Sequence, residues 1–365
     1  MQIDMHYYGT YALARAAGLH GDAARTVATC AQFVDDSVHL THKEMRDHAQ
    51  VDPVLTAHDF TDPDIGQDDK QRPVWIPFHF LPGGAPGGRE DAPFLERIVC
   101  RQDSPIAREM LDHYLALPRS SYSLALMGVA AHVYADTFSH YGFSGIGSRL
   151  NFVRGDSIVC HVEDQGIKGY IEDKATGFFD SLKEKLKRFE VGAAQAAELL
   201  SRGLGHGGVA TYPDRPYLRW EFTYEDSGLT VSRDNRATFL AACRNLHERF
   251  AHFVARHDRY ADGTGRPFAA IEDAVKAILA VEADKDGRID AWQDAARTGR
   301  LWDGENREIP DYDGEAWSDF VERLPRRASG DGVPDHPVYR FFQAAAYHRT
   351  YVLRDLLPAH GIVVV

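Results

Sequence analysis

Three metal-capable side chains, His132, Asp136 and His140, recur every fourth residue, just after the apolar run Ser123-Leu-Ala-Leu-Met-Gly-Val-Ala-Ala131. An α-helix turns about 100° per residue, so this spacing makes a slowly drifting stripe on one face. Successive members lie about 6 Å apart along the axis and the outer two about 12 Å. One ion does not reach both outer histidines from an unbroken helix. Two ions could share the stripe with Asp136 between them. A carboxylate on such an apolar helix needs a partner, because burying an unpaired charge is costly. Zinc accepts this mixture of imidazole and carboxylate. The metal-free alternative is two histidines hydrogen-bonded to an aspartate.

Further candidates are spread along the chain, which holds 18 histidines in 365 residues. His6 opens Met5-His-Tyr-Tyr-Gly-Thr-Tyr-Ala-Leu-Ala-Arg-Ala-Ala-Gly18, an amphipathic helix closed by glycine. Asp35 and Asp36 interrupt the apolar face that ends in Ala28-Thr-Cys-Ala-Gln-Phe-Val34. His58 begins an oxygen-rich turn, His58-Asp-Phe-Thr-Asp-Pro-Asp-Ile-Gly66, and His79 sits between bulky apolar groups in Ile76-Pro-Phe-His-Phe-Leu-Pro82. His206 lies in Gly203-Leu-Gly-His-Gly-Gly208, upstream of Asp214. Each alone reads as a surface or satisfied core residue. Together with the helix stripe they point to one metal cluster.

The set resembles the zinc-dependent phospholipase C and single-strand nuclease superfamily, all-helical proteins that hold three zinc ions in one cleft. The chain is most similar to an uncharacterised bacterial branch that opens with a comparable Met-Gln-Ile-Asp-X-His-Tyr-Tyr segment. The resemblance covers roughly residues 1–225 and implies ligand roles. His6 corresponds to the histidine that starts an Ala-rich helix, and His58 to the histidine of an Asp-Pro-Asp turn. Asp35 or Asp36 takes the upstream aspartate role. His132 and Asp136 match an H-x-x-x-D helix whose aspartate bridges metals, and His140 completes the second metal site. The family's later H-x-x-x-E segment has no clean counterpart; His206 with Asp214 is preferred to His161-Val-Glu-Asp164. The secreted phospholipases also use a free amino terminus as a ligand. Here Asp4 could replace it if Gln2–His6 runs extended, and a helix N-cap is the other reading of that aspartate.

The resemblance implies two or three zinc ions and a phosphoester substrate, possibly a phospholipid, cleaved by water whose pKa the metal lowers towards about 7. Asp36 would be the general base if Asp35 is the ligand, or the reverse. Tyr7, Tyr8, Phe78, Phe80 and Phe138 could hold an acyl chain or stack a base. The competing readings are a nuclease of the same fold and a non-catalytic, metal-stabilised helical protein.

The elements that must position these groups are mainly helical: a multi-helix bundle with long loops over residues 1–265 and a helical C-terminal extension over 266–365. Helices are expected at 104–117, 121–140, 168–204 and 234–260, with a Pro/Gly-rich loop over 61–100. Tyr217–Tyr224 reads as extended, and terminal helices as near Phe268–Ala283 and Val338–Leu357. Asp284-Lys-Asp-Gly-Arg-Ile-Asp290 is similar to a degraded EF-hand loop, in which Asp284, Asp286 and Asp290 would bind calcium, or is an acidic turn between helices. The net charge of −13 disfavours a long polynucleotide groove. No stretch approaches the roughly 20 apolar residues of a membrane span, and the start lacks a secretory signal's features. Cys30, Cys100, Cys160 and Cys243 form no C-x-x-C pair, so a reducing cytoplasm is the default, with export without a cleaved signal left open. From the stripe alone, His132→Ala and Asp136→Asn should each strip metal and lower the melting temperature; full metal content by elemental analysis in both variants would sink the site.

Overall fold

Apolar residues surround the segment from Ala125 onward, so it has no polar face to offer water and must lie inside. In a computed structural model this helix, Ser123–Asp136, is the centre of a mainly α protein, and every residue from Ala125 to Asp136 is buried. The structure describes residues 1–58, 68–89, 91–186, 203, 205–304 and 307–364. Helices are α1 (Thr10–Ala16), α2 (Gly21–Asp36), α3 (Asp68–Phe78), α4 (Phe94–Arg97), α5 (Pro105–Ala116) and α6 (Ser123–Asp136). They continue as α7 (Gln165–Leu186), α8 (Asn235–Arg256), α9 (Glu272–Leu279), α10 (Lys285–Arg297), α11 (Gly314–Arg323) and α12 (Pro337–Tyr351), with a last short turn at Leu357–Ala359.

Helix α2 starts where the His20 ring caps it, accepting a hydrogen bond from Ala23 N at 3.2 Å. It then packs along α6, and α12 and α8 cover other faces of α6. The approach of α2 is set by Gly128. A Cβ there would lie 2.4 Å from Val27 O and 2.6 Å from Cys30 Cβ. The C-terminal helices share the same core, which runs from Met1 to Val364. Helix α10 seats on the π-helical turn Asp4–Gly9 that leads into α1, and α11 lies on α2. A second apolar cluster, including Trp75, Phe80, Phe143, Tyr217 and Trp220, backs an antiparallel sheet ordered β3 (Val159–His161), β4 (Arg219–Thr223), β5 (Thr230–Asp234). Strands β1 (Lys43–Glu44) and β2 (Gln50–Val51) form a separate pair. Among the described residues no helix is long and apolar enough to cross a membrane.

Several expectations need correction. The loop expected over 61–100 contains α3, which keeps Pro73 and Pro77 within it. Burial of Val74, Trp75, Ile76 and Phe78 outweighs the local cost of the prolines. The helix expected at 168–204 begins at Gln165 and is described to Leu186; its remainder and the turn 59–67 lie outside the described residues. Helix α6 stops at Asp136, and His140 follows in a turn whose amide still bonds Asp136 O at 2.8 Å. The calcium loop is absent as a loop: Asp284 caps α10 by accepting from Gly287 N at 3.0 Å, so Asp286 and Asp290 lie on helix rather than converging. Asp4 is neither extended ligand nor side-chain cap. Its carboxylate is buried against Arg288, with Nε donating at 2.8 Å, in a helical rather than extended segment.

Gly128→Ala should lower unfolding free energy by about 1–3 kcal/mol, the usual cost of overpacking a filled contact. An unchanged denaturation midpoint would show that α2 and α6 do not meet there.

Candidate metal centre

Asp136, at the C-terminal end of α6, gathers the site around its carboxylate. Oδ2 lies 3.2 Å from His132 Nε2, one turn back on the same helix, and 3.3 Å from His79 Nδ1, just beyond α3. Oδ1 lies 3.1 Å from Nε2 of His6, which the π-helical turn presents. The His6 ring stacks on His132 with centroids 3.8 Å apart. Asp35, in the last turn of α2, brings Oδ1 to 3.8 Å from His132 Nε2 and 3.9 Å from His79 Nδ1. On the other side, Asp214 lies 3.3 Å from His140 Nε2 and 3.9 Å from His206 Nε2. Three ligand triplets, each with donor atoms within 4.8 Å of one another, result: His6–Asp35–His132, His79–His132–Asp136 and His140–His206–Asp214.

The histidines are oriented by their outer nitrogens. His132 Nδ1 donates to Ala31 O at 2.8 Å, His79 Nε2 to Thr56 O at 2.8 Å, His140 Nδ1 to His79 O at 2.9 Å, and His206 Nδ1 to Ala210 O at 2.8 Å. A carbonyl only accepts, so each of those nitrogens carries the proton. In a neutral ring the other nitrogen is then a lone pair, and in all four it faces the carboxylates. This is the arrangement of a metal-ligating imidazole held by a backbone carbonyl. His6 fits by a different mark: it is fully buried and, among the described residues, neither ring nitrogen is aligned with a hydrogen-bond partner, although Asp136 is close.

The charge balance favours a cation. Burial opposes ionisation of Asp136, but His140, the Met1 ammonium, His132 and His6 together hold its carboxyl well below the usual range. Asp214 is also depressed, against burial, by the ammonium, His206 and His140. Burial drives His206 down to about 4 and His6 to about 3, so both are neutral at pH 7. The α-amino nitrogen of Met1 lies 2.6 Å from Asp136 Oδ1 and 3.4 Å from Asp214 Oδ1. Burial disfavours its charge, but Asp136, Asp214 and Asp35 raise its pKa to about 11. Three carboxylates, the Met1 ammonium and the neutral rings of His6 and His206 thus meet in a nearly dry pocket. A divalent ion is the natural counter-charge.

Eight of the residues singled out in the sequence therefore meet in one place: His6, Asp35, His79, His132, Asp136, His140, His206 and Asp214. Asp4 does not join them. Asp36 turns away to accept a hydrogen bond from the Tyr312 hydroxyl, and burial lifts its pKa to about 6, with Asp35's charge adding to the rise. Of the His58/His79 alternatives, His79 enters a triplet, while His58 lines the wall of the adjoining cavity. Sequence reasoning set aside the amino terminus in favour of Asp4, although the family resemblance had pointed to a terminal amine. It had no signal for the four carbonyls, because any residue supplies one.

Residues 1–356 match a family of unknown function, DUF6765, and the chain belongs to that family. No curated protein and no solved structure matches the chain. His79→Ala should reduce bound metal in purified protein, whereas His58→Ala should keep the wild-type stoichiometry. The opposite pattern would return the ligand role to the Asp-Pro-Asp turn.

Proposed function

We propose that the chain is a metal-dependent phosphoester hydrolase, phospholipase C-like in its chemistry, with two or three zinc ions held by the residues above. The observation that carries this reading is the shared orientation of His79, His132, His140 and His206, each with one ring nitrogen on a backbone carbonyl and the other turned to Asp136 or Asp214. Backbone carbonyls that hold four rings with their inner nitrogens towards shared carboxylates orient imidazoles as metal ligands are oriented.

Zinc in this position supplies Lewis acidity towards a phosphoryl oxygen and towards water. The chain's residues do the rest. Asp136 and Asp35 belong to the triplets that share His132, so they fix the ligand rings relative to one another. Trp75, Phe80, Val38 and Ala57 form the apolar walls of a cavity of about 260 Å³ beside the cluster, which excludes bulk water from one side. That volume suits a compact head group or a single base better than a polynucleotide strand. Asp36 faces the Tyr312 hydroxyl rather than the cluster, but it lines the cleft that adjoins the triplet member Asp35 and burial raises its carboxyl pKa to about 6, so its general-base role would be towards water arriving from that cleft.

Chelation should abolish hydrolysis of bis(p-nitrophenyl) phosphate, and added zinc should restore it. Asp136→Asn should lower kcat/KM by at least about a hundredfold, the scale of losing a preorganised electrostatic contact. Release of organic phosphate from phosphatidylcholine against cleavage of single-stranded DNA decides between lipase and nuclease. Tight zinc binding without turnover of any of these would remove the catalytic reading.

A further inference from the structure

A second, larger cleft of about 1010 Å³ adjoins the cluster and shares Met1, Asp35, Thr211 and Asp214 with the inner cavity's lining. Its walls carry Lys174, Arg215 and Lys285 from three separate parts of the chain, facing Asp36 and Asp173 as well as the shared aspartates. Arg215 stands out among these cations. Its side chain is only 2% exposed, yet Nε and Nη1 have no hydrogen-bond partner among the described residues. Nη2 donates to Thr211 Oγ1 at 3.0 Å, and the guanidinium lies 5.3 Å from the Tyr170 ring centroid. The neighbouring Tyr217 hydroxyl is also buried; burial raises its pKa, and Arg215, close enough to bond it, lowers it.

A buried guanidinium with open donors is costly unless an anion completes it. Its planar fork matches two oxygens of a phosphate. Asp214 precedes it in the chain and is committed to His140 and His206, so the cation sits beside the cluster without being neutralised by it. We propose that Arg215 is the phosphate-binding residue of this cleft: its Nε and Nη1 hold phosphoryl oxygens of the substrate while the ester bond lies at the cluster. Lys174 and Lys285 extend the positive wall for a substrate that carries further anionic groups. The inference rests on the proposed hydrolase reading only for where the reacting ester sits; the anion site itself does not require turnover.

Inorganic phosphate titrated calorimetrically into the zinc-loaded full chain tests it. Wild-type protein should bind phosphate, and Arg215→Met should bind about 10- to 100-fold more weakly, the range for a charge-assisted hydrogen bond. Zinc content should be unchanged. In phosphate-free buffer Arg215→Met should melt no lower than wild type, since it removes an uncompensated buried charge. A residue serving only to pack on Tyr170 would melt lower in both buffers, and that result overturns the proposal. So does equal phosphate affinity in Arg215→Met, or no phosphate binding by wild type. If Arg215→Met does not fold, Arg215→Lys decides: it keeps the charge and loses the fork, so several-fold weaker binding is expected, and wild-type affinity rejects the site. Arg215-dependent phosphate binding without hydrolysis of any phosphoester would leave this site standing and remove the catalytic reading. Hydrolysis with phosphate binding indifferent to Arg215 would do the reverse.

Discussion

The Asp136 carboxylate is 1% exposed at the end of a helix that is buried from Ala125 onward, and the surrounding structure is arranged to make that tolerable. Taking such a charge out of water costs several kcal/mol unless partners replace the hydration. Here the partners are His6, His79, His132 and the Met1 amino group, drawn from the chain's opening segment, the turn after α3, and α6 itself. No local segment could supply them all. The carboxylate therefore acts as a constraint on tertiary structure: the first turn, α3 and α6 must converge, and Asp35 at the end of α2 arrives because α2 is packed along α6.

That convergence is reinforced one layer out. The outer nitrogens of the histidines are fixed by carbonyls of Ala31 within α2, Thr56 after β2, His79 itself, and Ala210 in the segment before Asp214. Ligand geometry is thus tied to backbone rather than to exchangeable side chains. A cation bound at the cluster would act across every one of these elements at once, so its binding energy would also be folding energy. The close approach of α2 to α6 at Gly128 has the same consequence, because His132 and its carbonyl partner at Ala31 sit on the two helices that this contact holds together.

Much of this was legible in the sequence because it rests on local periodicity. The four-residue spacing of His132, Asp136 and His140 marked the stripe, and the apolar run before it marked burial. The aspartates after Val34 were legible as polar residues in an apolar setting, and the pairing of His206 with Asp214 came from the family resemblance. What stayed hidden depended on distance in the chain. Asp4 looked like a ligand or a cap because its partner, Arg288, lies on α10, and no local pattern announces an ion pair between residues 284 positions apart. The helix through Pro73 and Pro77 was hidden because propensity argues against it and only burial of its neighbours argues for it. His58 and His79 illustrate the limit: the turn chemistry favoured one, the apolar flanks the other, and His79 is the one that meets the carboxylates.

The separation of charge within the site also bears on how an acidic protein could receive an anionic substrate. A net charge of −13 repels phosphate at long range, though salt screens that repulsion beyond about 10 Å. Inside the Debye length the balance is local. The cluster's carboxylates are turned inward on imidazoles and the Met1 ammonium, whereas the outer cleft offers Arg215 with two open nitrogens and lysines from α7 and α10. A phosphoester entering that cleft would meet Lys174 and Lys285 alongside Asp36 and Asp173, with Arg215 deeper in the wall. The carboxylates would in turn be neutralised by any divalent ions they hold. Net charge therefore argues against a long polyanion that must lie along the outer surface, and leaves room for a small one that enters the cleft.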